Sequence, residues 1–239
     1  MYRAEDRHFW FVAKRRLLND LLLHELNSMG KPRILDVGCG TGSLLASLSG
    51  YSTGVGIDPD AIAMEFCRRR GLKLLARGVI ENLGLASDSF DAVLSSDVIE
   101  HLDNDLAAVK EIYRVLAPEG FAIITVPAIP WLWSSHDLAL GHKRRYTRRS
   151  LKRLLFDAGF KEIKVVSFMS ATAPMVILVR LFRKLAGISN SGETMTYDIP
   201  YPVNRLLLWV LDIERRLVIG GFDLFIGTTL VAIVRKPME

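Results

Sequence analysis

Only two of the 239 residues are cysteine, Cys39 and Cys67, so a disulfide framework is not expected. A reducing cytoplasm is the natural setting. Long apolar runs are missing too. The longest, such as Ala173–Val179 and Leu206–Leu211, fall well short of the roughly 18 residues a spanning helix needs. The first residues are acidic, basic and aromatic by turns and offer no apolar leader, so no signal peptide is expected. Nor is there an internal repeat or low-complexity tract. A net charge of +5 is small for a chain of this size, but seven of its basic residues fall between Lys143 and Arg153 with no acid among them. That run reads either as a solvated helix start or as a surface for an anionic partner such as phosphate, membrane or nucleic acid.

What is present is an alternation. Apolar strand patterns at 33–37, 53–58, 73–77, 90–96 and 120–126 alternate with helical patterns at 42–49, 60–70, 103–116 and 148–158. This order implies a mainly parallel sheet with helices on both faces. Before it, residues 4–28 have helical spacing, closed by Gly30-Lys31-Pro32. After it, Phe160–Phe168 and Gly227–Arg235 read as strands. Between them lie two apolar, Arg-dotted helical stretches, 173–187 and 203–219, joined by a polar segment at 189–202. The chain thus divides into an N-terminal helical lid (1–30), a nucleotide-binding α/β domain (31–168 and 223–239) and an apolar helical insertion (169–222). Asp103 and either Thr147 or Ser150 are expected to cap their helices, and Ala117-Pro118-Glu119-Gly120 to turn before the last parallel strand.

The most telling stretch is Ile34-Leu-Asp-Val-Gly-Cys-Gly-Thr-Gly42, followed twenty-two residues after Asp36 by Asp58 at the end of the next strand. Glycines 38, 40 and 42 let a ligand lie against bare backbone. An acid closing the neighbouring strand can accept both ribose hydroxyls. The spacing is G-x-G-x-G, whereas a dinucleotide fingerprint is G-x-G-x-x-G. Asp36 would repel a pyrophosphate but suits a ligand carrying an ammonium and a sulfonium. A nicotinamide dehydrogenase is thereby disfavoured.

The stretch 34–42 resembles the first motif of class I S-adenosylmethionine-dependent methyltransferases, and Asp58 resembles their ribose-binding acid. Ser95-Ser96-Asp97-Val98-Ile99-Glu100-His101-Leu102 is similar to the family's fourth motif. The features at 7–16, 136–146 and 200–214 are similar to a bacterial and archaeal subgroup of the type 11/type 12 methyltransferases. The resemblance implies a Rossmann-like class I methyltransferase fold: a seven-stranded, mostly parallel sheet with an antiparallel last strand and a helical insertion before it. It implies S-adenosylmethionine as cofactor and S-adenosylhomocysteine as product. The family's cofactor residues carry over to Asp36, Gly38, Cys39, Gly40, Gly42, Asp58, Pro59, Ile80, Glu81 and Ser96. Several relatives also use an N-terminal helix as a lid whose arginine pairs with the cofactor's carboxylate, and Arg15 is the candidate. Relatives often place an acid where this chain has Val79, so recognition of the base falls to backbone and apolar packing.

For the chemistry, His136 and Asp137 lie in a loop after the fifth strand, and His101 follows the fourth. These three are the candidate catalytic residues, useful if the acceptor must lose a proton. Asp97, Glu100 and His101 also resemble a metal-binding triplet of the ubiquinone-pathway O-methyltransferases. The same Glu-His pair anchors a helix start in metal-free relatives, and no metal is assigned here. The basic run and apolar helices suggest a small-molecule acceptor that is lipid-linked or phosphate-bearing. Residues 173–219 would make peripheral contact with the inner face of the membrane, with Arg180 and Arg183 among headgroups, or form a homodimer. An RNA or protein methyltransferase, or a non-catalytic S-adenosylmethionine-binding regulator, are the rival readings. Nucleic acid is the weaker partner, because aromatics near the basic run are few.

Overall fold

A computed structural model describes residues 2–26, 30–185 and 199–238. A seven-stranded sheet forms its centre: β1 (Arg33–Val37), β2 (Thr53–Ile57), β3 (Leu75–Ala76), β4 (Phe90–Ser96), β5 (Leu116–Pro127), β6 (Glu162–Phe168) and β7 (Thr229–Arg235). The strand order is β3-β2-β1-β4-β5-β7-β6. The first five strands run parallel, while β7 is antiparallel to both β5 and β6. Nine helices accompany it among the described residues: α1 (Tyr2–Glu5), α2 (Phe9–Glu25), α3 (Ser43–Ser47), α4 (Ala61–Arg69), α5 (Asp105–Val115), α6 (Ser135–Ala139), α7 (Arg148–Asp157), α8 (Ala173–Leu185) and α9 (Tyr201–Ile219). The architecture is the Rossmann-like arrangement expected from the alternation of elements.

The sheet is apolar on both faces because alternate residues along each strand point opposite ways. On one face Leu35, Val37, Val93, Ala122 and Ile124 pack under α5 and α7, with Ile112 and Leu151 fully buried. On the other, Ile34, Leu94, Phe121, Ile123 and Val231 meet α2 and α9. The N-terminal segment proposed as a lid therefore also fills one face of the core, with Leu17 and Leu22 fully buried. Likewise α9, inside the proposed insertion, buries Leu211 and Val218 there. The two helices are tied at their starts: Asn204 Oδ1 accepts from the Phe9 amide at 2.8 Å, and its Nδ2 donates to the Arg7 carbonyl.

Local differences from the expected elements have local causes. The helix expected from 103 starts later, capped by Asn104, whose side chain accepts from the Ala107 amide. Thr147 is the cap of α7. The turn expected at 117–120 lies within β5, which starts at Leu116. There a register shift against β4 and a left-handed Glu119 (φ 62°) absorb the Pro-Glu-Gly sequence as a bulge. Of the polar segment 189–202, residues 189–198 lie outside the described residues. So do the side chains of Arg180 and Arg183.

Three residues just past strand ends hold left-handed backbone without being glycine: Asp97 after β4, Ile129 after β5 and Met169 after β6. Such conformations persist only where surrounding structure enforces them, and they gather at functional sites. All three lie at one end of the sheet.

Candidate functional site

In an open α/β sheet ligands sit beyond the carboxyl ends of the parallel strands. The chain between β1 and α3 turns there on Gly38, Gly40 and Gly42, all with positive φ. A Cβ on Gly38 would lie 2.3 Å from a Val98 methyl, so this glycine lets the loop touch the segment after β4. A Cβ on Gly40 would meet nothing within 4 Å, so this position borders open space. Gly40 is also where the two halves of the motif join. Its amide donates to Asp58 Oδ2 at 2.9 Å, while the other oxygen of Asp58 accepts from the Asp60 amide at 2.9 Å. The Asp58 carboxylate is thus fixed in orientation at the rim of the glycine turn.

Asp36 lies beneath this rim, 3 % exposed, and among the described residues no side chain bonds to its carboxylate. Burial, and then the nearby charge of Asp58, push its pKa up to about 7. A buried acid without a cation is costly in the free protein, and a bound cation would relieve that cost. Cys39 is buried in the loop, its sulfur 3.9 Å from that of Cys67. Pro59 is exposed and offers its carbonyl to Arg77. Ile80 is buried and Glu81 exposed in the segment after β3. Ser96 Oγ lies 3.1 Å from Thr125 Oγ1, which donates to Asp97 Oδ1.

The N-terminal segment closes over this end of the sheet through residues that sequence pattern did not single out. Glu5 bonds to Thr41 of the glycine loop, and Arg70 bridges Glu5, Asp6 and the Thr41 carbonyl. Lys14 pairs with Asp97 and lies 3.6 Å from the centre of the Trp10 ring. Burial alone would raise the Asp97 carboxyl, but Lys14 and Thr125 outweigh it and hold it below the usual range. Arg15 turns the other way and binds the Glu5 carbonyl and Asp6. The two differ by about 100° around the helix, so only one can face the strand ends, and it is Lys14.

A second group of polar residues surrounds the loop after β5. Asp137 is fully buried and accepts from the Ser134 amide at 2.9 Å, His142 Nδ1 at 3.0 Å and Arg145 Nε at 2.7 Å. His136 sits half-buried on α6, and His101 Nδ1 lies 3.3 Å from the Gly141 carbonyl. Glu100 is fully buried, and among the described residues neither of its side-chain oxygens has a hydrogen-bond partner. Burial and then the Asp97 charge push its carboxyl well above the ordinary range. Of the three candidate catalytic residues, His101 follows β4, the strand beside β1, whereas His136 and Asp137 follow β5. Asp137 is the hub of a network that holds the loop, and His142, which is not among those three, is its partner.

Beyond β5 lies a cavity of about 410 Å³ lined mainly by apolar groups, among them Ile129, Trp131, Tyr146, Ile177, Phe225 and Ile226. Phe225, 75 % exposed, and Trp131, 63 % exposed, stand at this cavity. The basic run beside it is largely neutralised. Lys143, Arg144, Arg145, Arg148 and Arg153 meet Asp103, Asp105, Asp137, Asp223 and Asp157 respectively.

A methyltransferase domain family matches residues 35–124, from β1 through most of β5. A probable S-adenosylmethionine-dependent methyltransferase of Mycolicibacterium smegmatis is 28 % identical over 162 residues, which are 65 % of this chain and 61 % of that protein. Residues 35–124 thus carry a methyltransferase domain, and its relatives are named S-adenosylmethionine-dependent methyltransferases.

An uncharacterised methyltransferase of Mycobacterium bovis is 32 % identical over 136 residues, covering 53 % of this chain and 52 % of that one. The chain thus spans only about half to three fifths of the curated relatives it matches. Among solved structures, a methyltransferase from Archaeoglobus fulgidus superposes with a TM-score of 0.58 at 20 % identity, covering 93 % of this chain and 94 % of that one. The [4+2]-cyclase SpnF superposes with a TM-score of 0.59 at 22 % identity, over 96 % of this chain and 84 % of that one. These likenesses show the class I methyltransferase fold.

The donor set fits that family's cofactor. Asp36 supplies an anion with no cation beside it among the described residues, Asp58 an oriented carboxylate, and Gly40 an approach free of side chain. No helix among the described residues is long and apolar enough to cross a membrane.

Proposed function

We propose that this methyltransferase domain binds S-adenosylmethionine over the ends of β1, β2 and β4 and transfers its methyl group to a small acceptor with an apolar segment. The observation that carries the first part is the uncompensated Asp36 carboxylate beneath the Gly40–Asp58 bond. Asp36 would hold the ammonium, Asp58 the ribose hydroxyls, and Ile80 with its neighbours the base. When bound, the cofactor supplies a methyl group already activated by the sulfonium. The protein then has chiefly to align the acceptor and exclude water. The N-terminal segment suits the second task, because Glu5, Arg70 and Lys14 hold it against the glycine loop and Asp97.

The acceptor class is read from the cavity beyond β5. Its aromatic and aliphatic lining suits a hydrocarbon tail. Phosphate finds less support, since five of the seven basic residues from 143 to 153 already face acids. Exposed Met175, Leu178 and Phe182 on α8, and Phe222, Phe225 and Ile226 after α9, supply an apolar surface through which such an acceptor could be taken from a lipid bilayer.

Incubation with labelled S-adenosylmethionine and a cell lipid extract tests the reading. It predicts label in an organic-soluble product, lost in Asp58→Ala. Label confined to RNA or protein would contradict the acceptor class. Flotation with phosphatidylglycerol vesicles tests the surface: Phe182→Glu and Phe225→Glu should lower recovery. Equal recovery, with sedimentation showing a dimer that Phe182→Glu dissolves, would assign the face to a second copy instead.

A further inference from the structure

The group around Glu100 is not explained by cofactor binding. Glu100 follows β4 in a single 3₁₀ turn, Ile99–His101, and its carbonyl accepts from the Lys143 amide at 2.8 Å. That bond draws the loop carrying His142 against the turn. The result is a fully buried carboxylate with two unpartnered oxygens, with His142 Nε2 at 4.0 Å and the His101 ring edge-on to His142 at 4.8 Å between centroids.

Each imidazole has one nitrogen already spoken for. His142 Nδ1 faces the Asp137 carboxylate, which is acceptor-only when ionised, so this nitrogen carries the proton and Nε2 keeps its lone pair. His101 Nδ1 faces the Gly141 carbonyl, with the same consequence. A carboxylate or carbonyl that orients a histidine from behind is the usual outer shell of a metal ligand. One donor atom from each of Glu100, His101 and His142 lies within 4.8 Å of the other two.

We propose that Glu100, His101 and His142 bind one divalent transition-metal ion of the zinc type. Two imidazoles and a carboxylate are a recognised zinc donor set, and three protein donors leave a position open. Bonds of about 2.0–2.1 Å put tetrahedral donors roughly 3.4 Å apart, so side-chain adjustments of about an ångström close the site. The ion would meet the two orphaned oxygens of Glu100, which no donor among the described residues reaches. This set is not the triplet that sequence spacing suggests: Asp97 is engaged by Lys14 and Thr125, and His142, forty-two residues beyond Glu100, stands in its place. The open position suits an acceptor oxygen, a use that rests on the methyltransferase reading. Ion binding itself does not.

The test is a Co²⁺ titration of chelator-treated protein, without cofactor or acceptor, followed by visible absorption. One equivalent should give saturable ligand-field bands without a thiolate charge-transfer band. His101→Asn and His142→Asn should each weaken binding by at least the roughly 10–100-fold that loss of an outer-shell partner costs. X-ray absorption of the zinc-loaded wild type gives a readout that needs no variant, and two imidazole shells with no sulfur are expected. Absence of saturable binding below millimolar Co²⁺, unchanged affinity in both variants, or sulfur ligands from Cys39 and Cys67 would overturn the proposal. Glu100 would then be a neutral buried carboxyl. Calorimetry with S-adenosylhomocysteine on the same sample separates failure of the metal site from failure of the cofactor reading.

Discussion

Replacing Asp36 with Asn removes one carboxyl group, and its effects on stability and on binding should have opposite signs. The Asp36 pKa rises from 3.8 in the unfolded chain to about 7 in the folded protein. An acid raised in this way favours folding only while protonated. Its cost is absent below the unfolded value, grows as pH rises, and is complete above about 7. At pH 8 the shift of roughly 3 units corresponds to about 4 kcal/mol. At pH 5 the folded protein holds a proton that the unfolded chain has lost, and the cost falls to under about 2 kcal/mol. Whatever the buried amide of Asn costs is the same at both pH values. Asp36→Asn should therefore change stability more favourably at pH 8 than at pH 5 by roughly 3 kcal/mol in urea unfolding of the cofactor-free protein. The same variant should bind S-adenosylhomocysteine more weakly, by about 1.5–3 kcal/mol for a lost charged partner. In the wild type, affinity should fall by up to about tenfold per pH unit below 7, because the ammonium needs the ionised form. An effect of Asn that is identical at both pH values would refute the account of Asp36.

Other perturbations follow from the same geometry. Asp58→Ala removes the acceptor fixed by Gly40 and Asp60 and should weaken S-adenosylhomocysteine binding by roughly 1.5–3 kcal/mol in calorimetry. Unchanged affinity would take Asp58 out of the site. Asp137→Ala leaves Arg145 and His142 buried without their partner, and urea unfolding should show a loss of about 3–5 kcal/mol. A stable variant that is merely inactive would instead make Asp137 catalytic. Leu17→Ala on α2 should cost about 2–5 kcal/mol, as for any fully buried leucine. A cost below 1 kcal/mol would mean that α2 is a dispensable lid.

Much of the site could be read before the fold was seen, because its information is local. Asp36, the three glycines and Asp58 belong to two adjacent strands and the loop between them, so spacing along the chain translates directly into spacing in space. The last strand was readable too: Thr229–Arg235 alternates into both cores, and its antiparallel pairing lets the chain return beside β5. What stayed hidden depends on contacts across the chain. Lys14 and Arg15 are equivalent by sequence, and only the seating of α2 on the sheet decides which meets Asp97. Histidine 142 looks like one more polar loop residue until Asp137 and Glu100 are brought to either side of it. The basic run reads as a bare patch because its acids come from elsewhere: Asp103 just before α5, Asp105 at its start, and Asp223 after α9. Helix α6 is short and carries an exposed Leu138, so it gives no periodic signal.

The most direct measurement is isothermal calorimetry of S-adenosylhomocysteine and of NAD⁺ against the wild-type chain at pH 8. One site for the sulfur nucleoside, weakened in Asp36→Asn and in Asp58→Ala, with no heat from the dinucleotide, is the predicted result. Tight NAD⁺ binding, or sulfur-nucleoside binding that ignores both aspartates, would contradict it.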